Sequence, residues 1–154
     1  MNILFTNRQS ALSISAKGVE RLVQTFLEWK KVSCDEVSIH FVDKQEISLL
    51  HKQFFDDPSP TDCISFPIDH PNDSSEGYTV LGEVFVCPKI GIEYAKSEKK
   101  DPFVEVSLYI VHGLLHLLGF DDQKESDKII MQGEENSAMK YLKENKVLLH
   151  EKMA

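Results

Sequence analysis

Hydrophobic residues change period along this 154-residue chain, and each change marks an element. Residues 2 to 6, NILFT, read as a short strand, and Asn7 to Ser10 as a polar break. From about Ser13 to Lys31 the apolar Val19, Leu22, Val23, Phe26, Leu27 and Trp29 recur mostly three and four apart, which predicts an amphipathic helix with its stripe in the core. Period two then takes over in DEVSIHFVD. Val37, Ile39 and Phe41 alternate there with Ser38, His40 and Val42, the pattern of a strand with one buried face. Asp43 followed by Glu46 forms a capping box with an acidic cap, and starts a second helix carrying Ile47, Leu49, Leu50 and Phe54. The turn-rich DDPSP, residues 56 to 60, ends it.

Beyond that turn DCISFP predicts a short strand, residues 67 to 79 an exposed polar loop, and VLGEVFVC, residues 80 to 87, a further strand. Pro88 suits the first position of a helix reaching about Glu98. A helix beginning near Pro102 is apolar on most sides, through Val104, Val106, Leu108, Tyr109, Ile110, Val111, Leu114, Leu115, Leu117 and Leu118, so it belongs in the centre of the fold. Lys124 to about Asn145 reads as a peripheral helix, and KVLLHEKMA as a fraying end. With no internal repeat or long linker, residues 1–154 predict one α+β domain: a small mixed sheet of about four strands packed with about five helices.

Charge narrows the classes of partner. Asp and Glu number 25 against 17 Lys and Arg, a net charge of −8, which argues against broad non-specific binding of nucleic acid; any polyanion must be met locally. Cys34, Cys63 and Cys87 are odd in number and form no CxxC pair, and no charged-then-apolar leader opens the chain, so the sequence predicts a cytoplasmic protein without disulfides. Its apolar stretches fall short of the roughly 20 residues that span a bilayer, so no membrane partner is expected.

The chemistry concentrates in HGLLHLLGFDDQ, residues 112 to 123. At about 100° and 1.5 Å per residue, His112 and His116 share a helix face one turn apart, within reach of one ion. Gly119 can end the helix in the left-handed region, and the reversing chain returns Asp121 or Asp122 toward the histidines. Asp122 is the preferred third ligand, because its spacing from His116 matches HxxxHxxGxx(H/D) sites. Asp121 then stabilises the turn or stands as a weak catalytic candidate, the nearest carboxylate by sequence. Two imidazoles and a carboxylate suit one zinc ion, which keeps a fourth position for water and lowers its pKa toward 7; manganese, iron and nickel also accept such a set. His40, His51, His70 and His150 read as solvated or locally bonded side chains.

Zinc proteases share this spacing, but their mechanism needs a glutamate beside the first histidine as general base. Gly113 occupies that position here, which disfavours peptide hydrolysis. With the glycine taken as original, HGLLHLLGFD closely resembles the HGxLHLxGYDH signature of the YbeY family of ribosomal RNA maturation factors. PTDCISFP, residues 60 to 67, resembles that family's PTDVLSFP, and LGEV, residues 81 to 84, its LGDI segment. The similarity spans nearly the whole chain. It implies an α+β metal-binding fold, a cytosolic location and single-strand-specific endoribonuclease activity. It also implies a role in 3′ end maturation of small-subunit (16S) ribosomal RNA and in ribosome quality control, with ribosomal proteins as partners. By position, the implied zinc ligands are His112, His116 and residue 122.

Two positions depart from the pattern. Asp122 replaces the family's third histidine and makes the site one unit more negative. Phe55 stands where the family has an arginine that could clamp a phosphate; a phenylalanine packs beside Phe54 or stacks on an unpaired base. Lys52, one turn earlier, is the candidate substitute cation for RNA. A reading from another class stands beside the nuclease: a non-catalytic, metal-stabilised ribosome assembly factor.

Overall fold

The computed structural model describes residues 1–71 and 77–151, so residues 72–76 of the expected polar loop and 152–154 of the expected fraying end lie outside the described residues. Among the described residues, four strands and five helices follow in the order β1 (Asn2–Arg8), α1 (Ala16–Trp29), β2 (Glu36–Val42), α2 (Lys44–Phe55), β3 (Cys63–Pro67), β4 (Val80–Val86), α3 (Pro88–Glu98), α4 (Pro102–Leu117) and α5 (Glu125–Glu144). The sheet order is β1-β2-β4-β3. β1 and β4 flank β2 in parallel, and β3 runs antiparallel along β4, giving the mixed α+β sheet that the pattern predicts.

Local sequence explains most boundaries. Ser15 caps α1 by accepting from the Gly18 amide, two residues later than the expected start, and α1 stops at Trp29. Asp43 caps α2 by accepting from the Glu46 amide at 2.8 Å. The reciprocal half of the capping box does not form, because the Glu46 carboxylate is taken by the Arg8 guanidinium at 2.5 Å. That pairing also explains why β1 continues through the expected polar break: Asn7 and Arg8 pair in register with Phe41 and Val42.

The prediction of one buried face on β2 needs correction. Val37, Ile39 and Phe41 join Val84 and Val86 in the large core under α1 and α4, but Ser38 and Val42 on the opposite face are buried too. Val42 forms a second, smaller core with Ile47 of α2, Ile64 and Cys87. A central strand covered on both faces obscures the alternation that a half-exposed strand displays. Residues 147–149, expected to fray, are packed into the fold instead. Val147 and Leu149 are buried at 6% and 2% exposure, and the Leu149 amide donates to the Ser107 hydroxyl of α4 at 3.0 Å.

Among the described residues no helix is long and apolar enough to cross a membrane, and all three cysteines are free thiols.

Candidate metal centre

Helix α4 is the spine of the site. Asp101 caps it by accepting from the Phe103 amide, Pro102 opens it, and its apolar surface lies against β3, β4, α3 and α5. Gly113 is the point of closest approach to the sheet. A Cβ there would stand 2.8 Å from Cys63 Sγ and closer still to Val84 Cγ1, while Ser65 donates its hydroxyl to the Gly113 carbonyl at 3.1 Å. The position beside the first histidine therefore faces packed sheet, and a glutamate has no room in it.

His112 and His116, both half-buried, flank Gly113 on the same helix. Helix α4 ends at Leu117, and Gly119, at φ +101°, turns the chain back where a side-chain-bearing residue would be strained. The turn returns its own groups to the site: the Phe120 carbonyl accepts from His116 Nδ1 at 3.0 Å. Asp121 Oδ1 accepts the amides of Asp122 (2.7 Å) and Gln123 (3.3 Å), fixing the turn and presenting Asp122 to the histidines.

The result is a convergent triangle. His112 Nε2 and His116 Nε2 lie 3.1 Å apart, and Asp122 Oδ2 is 3.5 Å from each. A tetrahedral ion with bonds of about 2.0–2.1 Å holds its ligand atoms roughly 3.3–3.4 Å apart, so the three edges fit such an ion. The hydrogen-bond partners of the other ring nitrogens point the same way. His112 Nδ1 donates to Glu135 Oε1 at 2.5 Å and His116 Nδ1 to a carbonyl, neither of which can donate in return. In their neutral forms both imidazoles thus turn Nε2 lone pairs on one point, beside a carboxylate. That donor set could hold a metal ion, and it is the one such group among the described residues.

Burial of His112 favours its neutral form, but the hydrogen bond to Glu135 and the charges of Glu135, Asp62 and Asp122 outweigh it and raise the imidazole pKa above its ordinary value. Carboxylates dominate the surroundings. A cavity of about 310 Å³ on the His112 side is lined by Asp62, Tyr109, Asp122, Lys128 and Glu135 among others. A second, of about 330 Å³, opens on the His116 side between His51, Phe55, Ser65, Asp121 and Asp122. A cation held by the triangle would offset that charge for an approaching phosphodiester.

The sequence-derived candidates separate in space. His112, His116 and Asp122 meet; Asp121 and Phe55 line the cavity next to His116. Lys52 lines neither cavity and pairs with Asp56 at 2.8 Å. Sequence reasoning passed over Glu135, Asp62 and Tyr109. Asp62 lies within PTDCISFP and had a positional signal; Glu135 sits 23 residues beyond His112 in an acid-rich helix, where nothing local distinguishes it. Of the remaining histidines, His40 is locally bonded, to Thr6 and Glu83, and His51 Nδ1 bonds the Ser59 carbonyl.

Comparison with known proteins bears on the same residues. The family profile described as Endoribonuclease YbeY matches residues 4–143, which include the whole triangle. The chain belongs to the YbeY family. A YbeY endoribonuclease from Protochlamydia amoebophila is 46% identical over 138 residues, covering 90% of this chain and 91% of that protein. Another, from Chlamydia trachomatis serovar D, is 44% identical over 148 residues, covering 96% and 91%. A solution structure from Thermotoga maritima superposes with a TM-score of 0.63 at 24% identity over 92% of this chain and 89% of that one, and shares the fold.

Proposed function

We propose that this chain is a metal-dependent, single-strand-specific endoribonuclease acting in the cytoplasm on the 3′ end of small-subunit (16S) ribosomal RNA and in ribosome quality control. The observation that carries the reading is the triangle of two Nε2 lone pairs and the Asp122 carboxylate at tetrahedral spacing. The endoribonuclease names of its YbeY relatives support the reaction class. One zinc ion per chain is the cofactor proposed, since two imidazoles, one carboxylate and an open fourth position suit it. When bound, zinc supplies an acidified water and positive charge for a phosphoryl group in transition.

The chain's own residues divide the remaining work. His112, His116 and Asp122 hold the ion, and Asp121 keeps Asp122 in place through the two amides it accepts. Asp62, in the cavity on the His112 side, and Asp121, on the His116 side, are the carboxylates available to take a proton. Phe55 is 56% exposed with its ring 5.6 Å from that of His51, a surface on which an unpaired base can stack and a paired one cannot. This accounts for a single-strand preference where the family arginine is missing. Lys52 is the substitute cation once RNA displaces it from Asp56.

Purified, zinc-loaded protein is expected to cut single-stranded RNA, to stop when chelated and to resume on zinc add-back. His116→Ala is expected to lose most of the activity; equal rates for the two proteins would sink the nuclease reading. The second reading, a non-catalytic assembly factor braced by its metal, is favoured by Phe55 at the arginine position. Metal-dependent melting with no cleavage selects it.

A further inference from the structure

We infer that Glu135 is a positioning residue for the metal centre, holding His112 with its Nε2 lone pair toward the ion and setting how tightly the ion is held. The inference rests on the metal-binding reading above and concerns what this chain adds to it from outside the ligand set. Glu135 comes from α5, and its side chain is only 16% exposed, so water screens its bond to His112 weakly. At 2.5 Å the contact is a charge-assisted hydrogen bond that dictates which ring nitrogen carries the proton. The two histidines differ here. His116 is oriented by a neutral carbonyl at 3.0 Å, whereas His112 alone has a charged anchor.

The neighbouring residue keeps that anchor in register. Glu134 bridges Lys30 at 2.5 Å, and the same ammonium lies 5.1 Å above the Phe120 ring. The helix that presents Glu135 is thereby tied to the turn that presents Asp122. Charge completes the case: Asp122 and Glu135 together carry two negative charges, which offset a divalent cation in a half-buried place. A carboxylate behind a ligating histidine raises the ring's basicity as well as fixing its orientation. Glutamine separates the two effects, since its carbonyl can accept the same bond without the charge.

The test measures zinc affinity by competition with a chromophoric chelator and the visible spectrum of the cobalt-substituted protein, with melting of the metal-free chains as the check on folding. Glu135→Ala is expected to weaken zinc binding by about 10–100-fold and to alter the cobalt spectrum. Glu135→Gln is expected to keep the wild-type spectrum at intermediate affinity. An affinity for Glu135→Ala within about twofold of wild type, with an unchanged spectrum, overturns the inference. If Glu135→Ala melts lower when metal-free yet binds zinc as wild type does, Glu135 is only a packing residue and the inference fails. A wild-type chain that takes up neither zinc nor cobalt defeats the metal-binding reading, and this inference with it.

Discussion

Gly113 decides which chemistry α4 can support, and it does so through volume. A zinc protease would place its general base there, but the backbone of α4 approaches β3 and β4 so closely that even a methyl group would meet Val84 and Cys63. Gly113→Ala is therefore expected to lower stability by about 1–3 kcal/mol in urea unfolding, the usual range for overpacking, and Gly113→Glu to prevent folding. Wild-type stability for the alanine variant would contradict this account of the helix–sheet contact. Two turns earlier, Glu105 is buried at 8% exposure, and its pKa is raised chiefly by that burial, with Lys100 and the Tyr109 hydroxyl opposing. A carboxyl whose folded pKa lies above its unfolded value favours the fold below the unfolded pKa. That advantage disappears as pH rises through the folded value. Glu105→Gln keeps the shape without the titration. Its melting temperature is expected to match wild type near pH 4 and to exceed it at pH 8, whereas parallel curves across that range would refute the assignment.

At the scale of elements, what the sequence disclosed depended on how local the cause was. Asp43 caps its helix through a bond three residues long, and the His112–His116 pair needs only one helical turn, so these are legible in one dimension, whereas Ser15 caps α1 two residues beyond the start that the pattern predicts. Glu135 was not, because the bond that gives it meaning joins two helices. The second buried face of β2 was hidden for the same reason: Val42 owes its burial to Ile47, Ile64 and Cys87 from three other segments. The end of the chain is the clearest case. Val147, Leu148 and Leu149 among charges look like a frayed terminus, yet two of them are buried and Leu149 donates its amide to Ser107. Ending the chain at Lys146 is expected to remove about 3–6 kcal/mol, the burial of two aliphatic side chains, from a total that is typically 5–15 kcal/mol. Thermal melting checks this, and an unchanged midpoint would show that the segment adds nothing to the core.

At the scale of the whole molecule, net charge shapes how RNA can be held. A chain of charge −8 repels a polyanion in general, and Lys128 is the one Lys or Arg among the residues lining the two cavities beside the metal centre. In the proposed metal-dependent reading, binding then draws on the ion, on stacking against Phe55 and His51, and on very few phosphate contacts. Counterion release from single strands gives a slope of about −0.7 in log K against log salt for each phosphate neutralised. One or two basic contacts thus predict a slope no steeper than about −1.5. Phe55→Ala is expected to weaken binding at every salt concentration without changing that slope, because stacking releases no ions. Lys128→Ala should flatten it by about 0.7. Lys52→Ala distinguishes two accounts of the missing arginine: a flatter slope identifies Lys52 as its replacement, and an unchanged slope leaves the exposed aromatic ring as the feature that holds the strand. A slope several units steeper in the wild-type chain would mean that a basic surface away from the metal centre carries the RNA. The acidic site would then be reached only after the strand had docked elsewhere.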